Sequence, residues 1–223
     1  MAGGRLIPGS QYGEDAAILK LFGSRGGGIA LDIGAADGFH HSNVHRLITE
    51  HGWQAVLVEP HPVYVVECRK RYAEYGNVHV LNVAVKAAPG KCVLHLYEPT
   101  YYGQVSTTSE EFRAQVIIQH GNQYTKDVTV DCDTVSNILK RYMLAAVNFV
   151  NIDCEGAEVE TLQTFPWEQR PELFVVEMAM NVEQINGIFA DNNYRQLAGL
   201  QPYHNAFYVP VENYAESTRR LNS

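Results

Sequence analysis

Cysteine is scarce in this chain, and its spacing excludes most specialised uses. Cys68, Cys92, Cys132 and Cys154 form no C-x-x-C pair, so neither a disulfide framework nor a zinc finger is indicated. No apolar run approaches the roughly 20 residues needed to span a bilayer. The opening MAGGRLIPGS is too short and too polar for a signal peptide, so a reduced, cytoplasmic protein with no membrane partner is expected. Positive charge is also in short supply: 17 Lys and Arg against 25 Asp and Glu leave a net charge of −8, with no basic stripe to track a phosphate backbone. That balance argues against a nucleic-acid partner. Internal repeats and low-complexity segments are absent.

What is present is a globular composition, 46% hydrophobic and 19% charged over 223 residues, long enough for one fairly large domain with its own core. The most informative stretch is Ile29 to Asn43, IALDIGAADGFHHSN. Ile29, Ala30, Leu31 and Ile33 read as a buried strand, and Gly34, Ala35, Ala36 and Gly38 as a tight turn that lets the backbone approach a ligand. Ser42 or Asn43 then caps a helix running to about His51. Strand, turn and helix start are those of the first half of a Rossmann-like unit, whose free backbone N–H groups face a nucleotide cofactor. The dinucleotide pattern G-x-G-x-x-G fits poorly, because laid on Gly34 it meets Ala36 and Phe39.

Further strands are expected at 55–58, 78–85, 91–97, 126–130, 147–152, 173–177, 195–198 and 206–209. Helices are expected at 16–22, 62–75, 134–141, 155–165 and 182–192. The alternation implies a mainly parallel sheet with helices on both faces. Residues 98–123 are polar and aromatic without a clear period, which suggests a partly helical substrate loop. Several acids fall at strand ends, where open α/β sheets bind ligands: Glu59, Asp153 and Glu177, with Glu155 just beyond Asp153. Burial there would raise a carboxyl toward useful base strength. Asp153, Glu155 and Glu177 also supply oxygen ligands of the kind Mg²⁺ takes, but spacing alone assigns no metal set. His41 and His45 stand four residues apart on an expected helix face without a recognisable third ligand, so packed or surface histidines are favoured over zinc.

The pattern D-x-G-x-A-x-G at Asp32, Gly34, Ala36 and Gly38 resembles the first motif of class I S-adenosylmethionine-dependent methyltransferases. Four segments in order then narrow the resemblance: SQYGED (10–15), LDIGAADGFHHSN (31–43), VLVEPHP (56–62) and NFVNIDCEGAEVETL (148–162). Together they resemble the FkbM family over roughly Ser10 to Val209. That resemblance implies a single domain over 1–223 with a Rossmann-like α/β fold, a central sheet of about seven strands, and an antiparallel strand near the C-terminus. Its members mostly methylate hydroxyls of sugars or secondary metabolites, so a small-molecule or glycan acceptor is implied. One departure is Ala36, where relatives often carry Asn.

By the same resemblance Glu59 takes the ribose hydroxyls, and Asn82, with Val83 and Ala84, borders the adenine. Asp32 organises the turn or meets the methionine amino group, while Asp37 and Ser42 border that end. Asp153 faces the transferred methyl, and Asp153, Glu177 or His204 is the candidate proton acceptor. His40, Tyr101, Tyr102 and His204 are candidate walls of the acceptor pocket, and the SQYGED segment is expected to fold over the site. Two other readings compete on the same residues: a nicotinamide-dependent oxidoreductase, which lacks an evident Tyr-Lys pair here, and a cofactor-binding module without activity.

Overall fold

The computed structural model describes residues 9–23, 25–97, 105–142, 146–198, 200 and 204–223. In chain order the elements are β1 (Gly9–Ser10), α1 (Glu14–Phe22), β2 (Ile29–Ile33), β3 (His40–His41), α2 (His45–His51), β4 (Gln54–Val58) and α3 (Pro62–Arg71). There follow β5 (Val78–Leu81), β6 (Ala84–Val85), β7 (Gly90–Tyr97), α4 (Glu110–His120), β8 (Tyr124–Asp133), α5 (Val135–Arg141) and β9 (Phe149–Ile152). The chain ends through α6 (Glu158–Gln163), β10 (Leu173–Glu177), α7 (Val182–Asp191), β11 (Tyr194–Gln196), β12 (Asn205–Pro210) and α8 (Tyr214–Leu221).

Seven strands form the central sheet in the order β11-β12-β10-β9-β2-β4-β5. The five from β10 to β5 run parallel, and β12 pairs antiparallel with both β10 and β11. β2 lies inside the sheet between β9 and β4 and carries apolar residues on both faces, as a strand covered by helices on each side must. Leu31 and Ile33 pack with Ile138 of α5, Leu162 of α6 and Phe189 of α7. Ala30, one position earlier, packs with Ile18 of α1, Leu47 of α2 and Cys68 of α3. The period of two in a strand thus assigns neighbouring residues to opposite layers.

Several expectations are corrected. The run 78–85 is two strands, because only β5 joins the main sheet; β6 pairs with β8, and β8 with β7, in a separate three-stranded sheet. Propensity marks both pieces as strand but does not say which sheet takes them. Within 98–123 the described part holds α4, capped by Ser109 Oγ, which accepts from Phe112 N at 3.2 Å. The helix expected from Glu155 starts only at Glu158, since Glu155 (φ 55°) and Gly156 (φ 94°) occupy the left-handed region. His41 lies in β3 and not on a helix, so it shares no helix face with His45. The last helix, α8, was not expected.

Candidate active site

The loops leaving β2, β4, β9 and β10 meet at the carboxyl edge of the sheet around one cavity of about 1290 Å³. Six carboxyls line it: Glu14, Asp32, Glu59, Asp153, Glu155 and Glu177. No Lys or Arg stands among its described lining residues.

The turn after β2 is built differently from the expectation of free N–H donors. Gly34 N and Ala35 N both donate to the Val58 carbonyl, at 2.9 and 3.1 Å, and Gly38 N donates to the Ala35 carbonyl at 2.8 Å. Ala36 N donates to Glu59 Oε2 at 2.8 Å, while Glu59 Oε1 accepts from His61 N at 2.6 Å. The turn therefore offers no cradle of amides to a phosphate. Its glycines answer to protein packing. Gly34 has φ 86°, and a Cβ there would lie 1.6 Å from the Asp153 carbonyl oxygen. Ala36 sits at φ 47°, a conformation that Asn tolerates better than Ala.

Asp32, Gly34, Ala36, Ser42, Glu59, Ala84 and Asp153 all line the cavity. Asp37, Gly38 and Asn82 do not. Asp37 Oδ1 accepts from Phe39 N and His40 N, both at 2.9 Å, and its Oδ2 pairs with His40 Nδ1 at 2.6 Å. Gly38 packs against Cys68 and Tyr72. The Asn82 amide donates to the carbonyls of Glu59 and Pro60, at 2.9 and 3.0 Å, and so fixes the loop that carries Glu59. Short polar side chains near strand ends are free to bond local backbone, and these two do. Ser42 Oγ accepts from Val44 N and His45 N, capping α2 from just outside it.

Asp32 accepts from Asn151 Nδ2 at 2.8 Å, and Asn151 Oδ1 accepts from Asn43 Nδ2 at 2.9 Å. The order of this relay is set by Asp32, whose carboxylate can only accept, and it leaves Asn43 Oδ1 buried without a partner. The sequence reading passed over Asn151, although an amide in the otherwise apolar strand FVNI was its signal. It also missed the task of Glu158, whose carboxylate accepts from Cys154 N and Gly156 N and so shapes the loop carrying Glu155. Thr107 Oγ1 braces the same loop by donating to the Glu155 carbonyl at 2.5 Å.

Burial dominates the electrostatics. It pushes Asp32 up to about 6, against the opposing Asn151 hydrogen bond. Glu59 is pushed up to about 7 by burial, and its two backbone hydrogen bonds offset only part of the rise. Asp153 is pushed up to about 7 by burial and by the charges of Glu158 and Asp32. Glu155 and Glu177 are held well above the usual carboxylate range by burial and by Asp153. Carboxyls this close share protons rather than all ionising.

Further lining comes from α4 and the N-terminal segment. Phe112, Gln115, Val116, Gln119 and His120 face the cavity from α4, and Gln11, Tyr12 and Glu14 from SQYGED. Glu14 accepts from Tyr12 N and from Asn205 Nδ2, each at 2.8 Å, which ties the segment to the start of β12. His40 and His204 also line the cavity; Tyr101 and Tyr102 lie outside the described residues.

Sheet order, crevice and acid-bearing strand ends define a Rossmann-like fold of the class I methyltransferase kind. Residues 32–201 match the Methyltransferase FkbM domain, and the chain belongs to that family. A methyltransferase FkbM from Methylobacillus flagellatus KT superimposes with a TM-score of 0.53 at 13% identity, over 82% of this chain and 43% of that one. The chain thus spans less than half the length of that relative. It is also similar to Aeropyrum pernix fibrillarin with natively bound S-adenosyl-L-methionine, at 12% identity, TM-score 0.47, over 93% and 85% of the two chains. A precorrin-6y C5,15-methyltransferase from Geobacter metallireducens GS-15 gives 10% identity and TM-score 0.46, over 88% and 86%. No curated protein matches the chain in sequence. Among the described residues, no helix is long and apolar enough to cross a membrane.

Proposed function

We propose that the chain is an S-adenosylmethionine-dependent O-methyltransferase acting on a hydroxyl of a small molecule or glycan. The observation that carries this reading is the chemistry of the cavity: six carboxyls, no described Lys or Arg, and a turn in which the amides of Gly34, Ala35, Ala36 and Gly38 are already bonded. A nicotinamide dinucleotide brings a pyrophosphate that needs free N–H groups or cations, so the oxidoreductase alternative finds no support here. A cofactor carrying a sulfonium and an ammonium suits acidic walls. Net charge −8 supports a small or glycan acceptor over nucleic acid.

In this reading Asp32 and the unpartnered Asn43 Oδ1 receive the ammonium of the cofactor, with Ser42 beside them. Glu59 keeps lone pairs for the ribose hydroxyls beyond the two used on Ala36 N and His61 N. Ala84 and Val83 supply the apolar wall for the adenine. Once bound, the cofactor supplies a methyl group already activated by positive sulfur. The protein then has to hold an acceptor oxygen in line and keep water out. Asp153, with a carboxyl pushed up to about 7, takes the hydroxyl proton, and Glu177 beside it shares that proton. His204 on the same wall is the alternative acceptor.

The test is methyl transfer from labelled S-adenosylmethionine to a panel of hydroxylated acceptors, with a binding titration alongside. Labelled ether product from any of them supports the reading. Cofactor binding with no product from a broad panel would favour a binding module without activity.

A further inference from the structure

We infer that Asp153, Glu155 and Glu177 form a binding site for a hard divalent cation such as Mg²⁺ or Mn²⁺. Each of the three offers one carboxylate oxygen, and these oxygens all lie within 4.8 Å of one another. Cations of this kind bind oxygen at about 2.0–2.6 Å, so one ion placed between the three reaches all of them with little rearrangement. The ligands come from two places that the fold brings together: the loop after β9 and the end of β10.

A second observation separates this group from an ordinary acidic cluster. Glu177 Oε2 is sealed from solvent and has no hydrogen-bond partner. The same carboxyl shares a side-chain hydrogen bond with Asp153, and Glu155 and Glu158 are its further charged neighbours, so Oε2 is the oxygen left over. Elsewhere the protein satisfies such acids with backbone donors, Glu59 in the cavity with Ala36 N and His61 N, and Glu158 behind the Glu155 loop with Cys154 N and Gly156 N. An enclosed acceptor without a donor is destabilising, more so when charged, and a bound cation removes that cost. No described Lys or Arg lines the cavity to do that work. The cluster opens onto the cavity, so a bound ion keeps positions for water or an acceptor oxygen.

Cation binding itself does not rest on the methyl-transfer reading; only a part for the ion in that reaction does. The test is titration of EDTA-stripped protein with Mn²⁺, followed by electron paramagnetic resonance and calorimetry, with neither cofactor nor acceptor present. One Mn²⁺ per chain is expected, displaced by excess Mg²⁺, with affinity at least about tenfold weaker in both Glu155→Gln and Glu177→Gln. Both variants remove charge from a crowded cluster and should fold, which circular dichroism checks. Absence of Mn²⁺ binding at millimolar concentration, or equal binding in parent and both variants, overturns the site. S-adenosylhomocysteine titrated into the same samples keeps the two readings apart: its binding without Mn²⁺ removes only the cation site, and Mn²⁺ binding without it removes only the methyltransferase reading.

Discussion

The backbones of Gly34 and Asp153 are in contact: a Cβ on Gly34 would stand 1.6 Å from the Asp153 carbonyl oxygen. The loops after β2 and β9 are therefore one structural unit, and the glycine turn and the acidic loop cannot shift independently. Asp153 N donates to the Ile33 carbonyl at 2.9 Å, which fastens the two strand ends together.

Gly34→Ala is expected to destabilise the fold by at least about 2 kcal/mol, since it combines a clash with backbone and a positive φ. Thermal unfolding checks this. A melting temperature equal to the parent's would mean that the two loops are not held in contact.

Glu59→Gln places an NH₂ group against one of two backbone donors and removes a charged acceptor. The affinity for S-adenosylhomocysteine should fall by about 1–3 kcal/mol, roughly 5- to 150-fold. Unchanged affinity by calorimetry would move the ribose away from Glu59.

The ligand-free protein should lose stability as pH rises from about 6.5 to 8. Glu59 has a folded pKa of about 7, above its unfolded value, so the native state holds a proton that the unfolded chain has already released. Stability from that proton is complete below the unfolded pKa and is lost as pH passes through 7. Asp153, also at about 7, adds in the same direction. Below about 6.5 the sign is mixed, because burial pushes His61 down to about 4 and its contribution grows with pH there. A fall of a few degrees is expected over the upper window, on the order of 1 kcal/mol for each carboxyl, and Glu59→Gln should reduce it. A flat or rising profile would show that these carboxyls are ionised in the folded protein.

Asp153→Asn keeps the shape of a cavity-wall residue and removes its charge. Turnover should fall by about 10²-fold or more with a melting temperature near the parent's. Parallel assays of the parent with and without EDTA separate the two uses of that charge, since only a cation site makes activity depend on the chelator. Normal turnover by Asp153→Asn would leave Glu177 as the leading acid.

Much of this was legible in the chain. The buried strands and strand-end acids follow from apolar runs closed by Asp32, Glu59, Asp153 and Glu177, and all four reach the cavity. What escaped is set by contacts distant in sequence. Asn82 and Asp37 carry residue types that suit a ligand, yet local backbone takes their polar atoms. The glycines read as room for a cofactor, whereas Gly34 gives room to Asp153 and Gly38 to Cys68 and Tyr72. Asn43 and Asn151 become informative only once β9 lies beside β2 and sets Asn151 against Asp32. The split of 78–85 between two sheets depends likewise on β8, some fifty residues on.

The measurement that bears most directly on the whole account is a parallel calorimetric titration of the protein with S-adenosylhomocysteine and with NAD. One-to-one binding of S-adenosylhomocysteine, weakened by Glu59→Gln, with no heat from NAD, is the predicted result. Binding of NAD, or no binding of S-adenosylhomocysteine by well-folded protein, would contradict it.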